Sequence, residues 1–566
     1  MKTSTTLNKS ADFSIPYLEP ILIGVFALFY YYIRSNFFEV PMERDEGIYT
    51  YYGQLALEGK TPYIDFYESR LPGIFYMYGL LVAIFGDFRG LAIAITLLNI
   101  GSFTFLYLFS KSWFNGSKCF AFVAGCTALL LGLAPEISGF TRQSEHIVVF
   151  WAMGGLYLLQ RAFDSNKWVS LFFAGVFMCL AMLTKPNGIF FILLGGFATV
   201  AYYSFYSREE PKKVGELIKT VLIKGLIYSA GVFATFGLMC AYMWSQGALS
   251  QMWYWSVTFS SQYATRIPWA GTNGQMGGKD YFLSSFNNIT NNYFYFWILA
   301  AIGLIAFMFI KNEKDAVYKK VTIWIIAFFS FLTITPSLSF YGHYWLMLIP
   351  ALALCFTTVF YAIYSIFNKQ NIVYIALTVF AAGLLVFNIN KLSKYYFKPD
   401  IKKVVMQTYG GNPFNETYEI GKYLKTKAKP NDQLILIGSE PQLLIYTGMK
   451  SATRHAYFSY LMQDTTVINV PEWQKEFEKD ITDKKARFLV FFNHQISIFA
   501  QPKANFNWLN NLLSNIIPAL YKPIGFVDML GTATPKYIFS EAELATYRPT
   551  QLPNQQIFTA TIYELK

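Results

Sequence analysis

Eleven runs of mostly apolar residues decide what this chain can fold into: 17–36, 90–110, 119–135, 146–163, 168–184, 188–205, 221–244, 293–310, 321–335, 344–366 and 371–389. A helix needs about 20 such residues to cross a hydrocarbon layer roughly 30 Å thick. The runs therefore predict a polytopic α-helical membrane protein. Only 14% of the 566 residues are charged and 54% are hydrophobic, against about 25% charged in ordinary soluble domains. The chain is basic, with a formal net charge of +12, yet its Lys and Arg punctuate the apolar runs instead of forming a stripe. A soluble enzyme, a nucleic-acid binder and a disordered scaffold are excluded. Cys119, Cys126, Cys179, Cys240 and Cys355 lie in or beside the runs and read as small hydrophobes. They form no CxxC pair that would suggest a metal or a disulfide framework.

Sidedness follows from the basic residues. The stretch 71–85 is short and holds Pro72, Gly73 and Gly79. If it lies along the membrane surface, the dense clusters Arg208, Lys212, Lys213, Lys219, Lys224 and Lys311, Lys314, Lys319, Lys320 share the cytoplasmic side with Lys2 and Lys9. If it spans, those clusters fall outside, against the positive-inside rule. The surface position is preferred. It gives eleven spans, a cytoplasmic N-terminus, a first run retained as an anchor, and an external C-terminal region. The chain then divides into a membrane part, 1–390, and an extracytoplasmic α/β domain, 391–566. In the latter, strands are predicted at 433–438, 487–492, 537–540 and 558–563, and helices at 415–427 and 507–520. The external stretch 245–292, with Gly271, Gly274, Gly277 and Gly278, reads as a mobile lid or binding loop.

The span middles are almost free of ionisable groups, whereas ion-coupled transporters place charges near the midplane. The unusual charges stand instead at the external ends. After the first run come Glu43-Arg44-Asp45-Glu46-Gly47 and a tyrosine-rich helix. Adjacent carboxylates there suit general-base work, one acid taking a proton while its neighbour orients a partner or a metal. A solvated acidic loop with an interfacial tyrosine belt explains the same residues. Arg142 and Glu145 stand before the fourth run, where helix-dipole pairing also accounts for the acid. Lys185-Pro186-Asn187-Gly188 offers a lysine to phosphate or a snorkelling side chain. His343-Tyr344 opens a late run, as a site or as part of an aromatic girdle.

In order and sidedness these motifs resemble the GT-C glycosyltransferases that use polyprenyl-phosphate sugars, the group containing protein O-mannosyltransferases and the aminoarabinose transferase. The matching residues are Arg44-Asp45-Glu46, Gly59-x-Thr61-Pro62-Tyr63, Arg70-Leu71-Pro72-Gly73, Phe85-Gly86-Asp87, Arg142…Glu145 and His343-Tyr344. The resemblance implies an inverting enzyme of a bacterial inner (plasma) membrane, working on the extracytoplasmic face. The sugar would pass from a polyprenyl-phosphate donor to a glycan, lipid or protein acceptor. Asp45 would be the base, with Glu46 and Glu145 supporting it or placing donor and acceptor. Arg70, Arg142 and Lys185 would hold the lipid-linked phosphate, and Arg44, His343 and Tyr344 would line the substrate site. A divalent metal is an optional cofactor. No nucleotide sugar is expected outside the cytoplasm, and the sequence has neither a GxGxxG nor a Walker loop. A flippase, or a ligase or polymerase of lipid-linked glycans, is the alternative.

Overall fold

A computed structural model describes residues 17–205, 214–261, 267–271, 275–310, 316–367, 370–464, 469–529, 534–548 and 558–566. Lys2, Lys9, Arg208, Lys212, Lys213, Gly274, Lys311 and Lys314 lie outside them. Every predicted run is built on a helix. Among the described residues, six stretches are long and apolar enough to span: Leu18–Ser35, Phe88–Trp113, Pro186–Phe205, Val214–Ser245, Ile349–Ile366 and Asn371–Lys391. Lys118–Leu131 and Trp168–Thr184 are shorter apolar helices, as is Gly73–Phe85 in the stretch expected on the surface. The expected loop 245–292 contains the helix Gly278–Asn291, which meets the next helical segment, Phe294–Phe309, at a 103° bend. Asp280 starts that helix by accepting the Gly277 N–H at 2.9 Å. This folds back on its own first turn a chain that reads as flexible from its glycines.

By contacts the chain forms two compact units. The first is 1–38, 69–74 and 92–399, and the second is 39–68, 75–91 and 400–566. In the first, helices Ser144–Ser165 and Trp168–Thr184 are joined by a tight turn through Asn166 in the left-handed region, so they pack side by side. Aromatic pairs fill the helix contacts, as where Phe163 and Tyr202 stack 4.2 Å apart. Lys319 is buried, and its Nζ donates to Trp113 O at 2.8 Å and Asn115 Oδ1 at 2.7 Å.

Among the described residues, the second unit carries six strands: β1 (Gln433–Ile437), β2 (Lys450–Ser451), β3 (Phe488–Asn493), β4 (Tyr521–Met529), β5 (Lys536–Ile538) and β6 (Phe558–Leu565). Their spatial order is β2-β1-β3-β6-β4-β5. β1 pairs parallel to β2 and β3, with Ile435 opposite Leu489; β6 pairs antiparallel to β3, with Ile562 opposite Val490. Leu434, Ile435, Leu489 and Val490 are fully buried. That burial explains why these strands read as unbroken apolar runs rather than alternating ones. β4 was not expected, because Pro523 and Gly525 interrupt its pattern. The strand accommodates them with a register shift between those residues.

Candidate functional site

In the second unit the acidic motif opens the helix Arg44–Leu57. Glu43 is its N-cap: its Oε1 accepts the Glu46 N–H at 2.9 Å. Both Glu43 and Glu46 are buried, at 7% and 1% exposure, while Asp45 is half-buried. Tyr49, one turn on, donates its hydroxyl to Asp45 Oδ2 at 3.4 Å. Burial, then the charges of Asp45 and Glu46, push the Glu43 carboxyl well above the usual carboxylate range. The three acids therefore have unequal surroundings, and Asp45 is the least buried of them.

Arg44 turns into the α/β fold. Its Nη2 meets Glu440 Oε1 at 2.7 Å, and its Nε donates to Ser439 O at 3.0 Å. Its guanidinium also lies 5.2 Å from the Phe414 ring centre. Glu440 is fully buried, and burial of the Arg44 guanidinium is outweighed by Glu440 and Tyr457, which hold its pKa above the usual arginine value. Glu440 escaped the sequence analysis. The available signal was an acid standing directly after an apolar strand and Gly438-Ser439, where α/β sheets gather functional residues.

In the first unit Glu145, Lys185, His343 and Tyr344 come together. Glu145 is fully buried at the start of its helix, and Lys185 Nζ donates to its Oε1. His343 Nε2 lies 3.7 Å from the same oxygen. The Lys185 ammonium sits 4.2 Å from the Tyr344 ring centre. Lys185 thus has an internal partner for its charge. Arg142 is fully buried, and its Nη2 donates to Phe38 O at 3.0 Å. Arg70 is half-buried, with Nη1 donating to Ser69 Oγ at 3.2 Å, and its carbonyl accepts from Ser256 Oγ at 2.9 Å. Gly73, three residues on, packs against Leu183 near the end of the helix leading to Lys185.

A second residue missed in the sequence is Arg34, buried at 1% exposure at the end of the first helix. Its Nη1 donates to Gly139 O at 2.5 Å, its Nη2 to Thr141 O at 3.2 Å and its Nε to Thr96 Oγ1 at 3.3 Å. Arg34 so ties down the turn that presents Arg142. Among the described residues, no three His, Cys, Asp or Glu side chains are placed together to hold a metal ion.

No protein-family model and no curated protein sequence matches the chain. Solved structures do. ArnT from Cupriavidus metallidurans in the apo state matches with a TM-score of 0.54 and 14% identity, over 88% of this chain and 94% of that one. The same protein bound to undecaprenyl phosphate matches with a TM-score of 0.53 and 13% identity, over the same 88% and 94%. The oligosaccharyltransferase AglB from Archaeoglobus fulgidus, in complex with an inhibitory peptide and a dolichol-phosphate, matches with a TM-score of 0.47 and 11% identity, over 93% and 75%. On its likeness to ArnT, the chain has the GT-C fold.

Proposed function

We propose that this protein is an inverting membrane glycosyltransferase that uses a polyprenyl-phosphate sugar on the extracytoplasmic face and delivers the sugar to a glycan, lipid or protein acceptor. The observation that carries the proposal is the inequality of the three carboxylates. Glu43 is spent as a helix cap and Glu46 is buried, whereas Asp45 is half-buried with one tyrosine hydroxyl beside it. A base needs that combination of access and partial shelter. Asp45 takes the proton of an acceptor hydroxyl as its oxygen attacks the anomeric carbon. The carbon–oxygen bond to the lipid phosphate breaks on the opposite side, and the phosphate departs with the electron pair. The undecaprenyl phosphate bound by ArnT supports a lipid phosphate as the leaving group.

Arg70 is the proposed phosphate ligand, because it is half-buried where Arg142 is wholly enclosed and Lys185 is paired with Glu145. Glu145, His343 and Tyr344 keep that lysine in place, and Glu46 supports the turn of Asp45. The test uses purified protein with a radiolabelled polyprenyl-phosphate sugar and extracted acceptors. Asp45→Asn should lower turnover by about 10²–10⁴-fold with donor affinity intact. Arg70→Ala should weaken donor binding by about ten- to a hundredfold, the worth of a charge-assisted bond of roughly 1.5–3 kcal/mol. Near-normal turnover in Asp45→Asn would remove Asp45 from the chemistry.

A further inference from the structure

We propose that the C-terminal α/β domain is a clamp that fixes the orientation of the Asp45-bearing helix, with Arg44 and Glu440 as its positioning residues. This goes beyond the proposed function while resting on its assignment of Asp45 as base. All the contacts lie inside the second unit.

β1 runs between β2 and β3, and the chain leaves β1 to one side and returns on the other. In open α/β sheets the crevice at the carboxyl ends of such strands is where a ligand is held. Here Gly438, Ser439 and Glu440 follow β1 at that point, and Glu440 receives Arg44. The receiving peptide is itself rigid. Ser439 N–H donates to Ser497 O at 2.9 Å, Ser439 Oγ accepts the Ser459 N–H at 3.0 Å, and Glu440 Oε2 accepts from Gln442 Nε2 at 2.7 Å. Gly438 adopts φ 142°, a backbone state that favours glycine and turns the chain sharply out of the strand.

Two further contacts flank Arg44, one just before its helix at Met42 and one on it at Gly47. Met42 N–H donates to the Tyr446 hydroxyl at 2.6 Å. Gly47 lies so close to the domain that a Cβ there would fall 2.5 Å from Gln442 N. Contacts at residues 42, 44 and 47 cover both sides of Asp45, the next residue after the ion-paired arginine. At this strand end the charged group received is an arginine of the same chain. What it holds is the turn that presents the base.

The test is a double-mutant cycle on kcat and donor KM with full-length protein in nanodiscs, using Arg44→Met, Glu440→Gln and the pair. Each single variant should lower kcat about tenfold or more with donor KM within about twofold, and the pair should lose no more than the worse single. In an Asp45→Asn background either change should add nothing, because both act through Asp45. Glu440→Gln is nearly isosteric, so its kcat decides the matter if Arg44→Met fails to reach the membrane. Arg44→Lys should recover part of the activity by restoring the charge. Unchanged kcat in Glu440→Gln, or additive losses in the cycle, would overturn the clamp. Coupled losses together with an active Asp45→Asn would keep the clamp and move the base to another acid of the same helix.

Discussion

Glu43 shows how one buried carboxyl links acidity to stability. Burial and two neighbouring acids raise its pKa in the folded chain, so the folded state holds a proton that the unfolded state releases near pH 4.3. Its stabilising contribution is complete below that pH and is lost as the pH rises through the folded value. Glu43→Gln keeps an acceptor for the Glu46 N–H but cannot ionise. The variant should therefore melt with wild type at pH 4 and above it at pH 8, as read by thermal unfolding in detergent. Glu145 and Lys185 make the opposite case, a buried pair whose partners neutralise each other. Lys185→Met strands a fully enclosed carboxylate and should cost about 3–5 kcal/mol. Adding Glu145→Leu should recover most of it. If donor binding recovers alongside stability, the lysine acts on the pair and not on phosphate. The sequence exposed Glu43, Asp45 and Glu145, but it could not show that the first is a cap, the second half-buried and the third paired. The pairing of Glu145 depends on Lys185, 40 residues away, and the cap at Glu43 on where the helix begins.

At the scale of elements, the helix Arg44–Leu57 is specified twice. Locally it has an N-cap acid and acids in its first turn, which favour the positive end of the helix dipole. Tertiary packing then demands a residue without a side chain at Gly47, where Gln442 approaches. Gly47→Val should overpack this contact, at about 1–3 kcal/mol. Activity should fall further than the melting temperature does, because the displaced turn carries Asp45. The eleven apolar runs were legible because hydropathy over twenty residues averages out local exceptions. β1 and β3 were legible because their burial on the sheet makes them continuously apolar, and β6 because Ala560 and Ile562 alternate with half-buried Thr559, Thr561 and Tyr563. β4 was hidden by Pro523 and Gly525, since a bulge restores pairing that the sequence pattern denies. The helix Gly278–Asn291 was hidden among glycines, where a single aspartate cap decides the outcome.

For the whole molecule, the distribution of lysine and arginine makes a direct statement about sidedness. Lys167 and Lys279 are both exposed and belong to loops expected on opposite faces. Single cysteines at these positions in intact spheroplasts should react with an impermeant maleimide at Lys279 only. Equal labelling, or labelling at Lys167 only, would overturn both the eleven-span arrangement and the placement of 71–85 on the surface. The ion pair between Arg44 and Glu440 adds a consequence in time. Its partners are 396 residues apart, and a ribosome adding about 5–20 residues per second needs roughly 20–80 s to make the intervening chain. Throughout that interval the acidic helix exists without the strand end that orients it. A nascent chain can therefore enter the membrane and pack its spans while the turn carrying Asp45 still lacks its ion-pair partner. Under the proposed clamp, a translation product abandoned before Glu440 would carry an Asp45 helix that nothing yet orients.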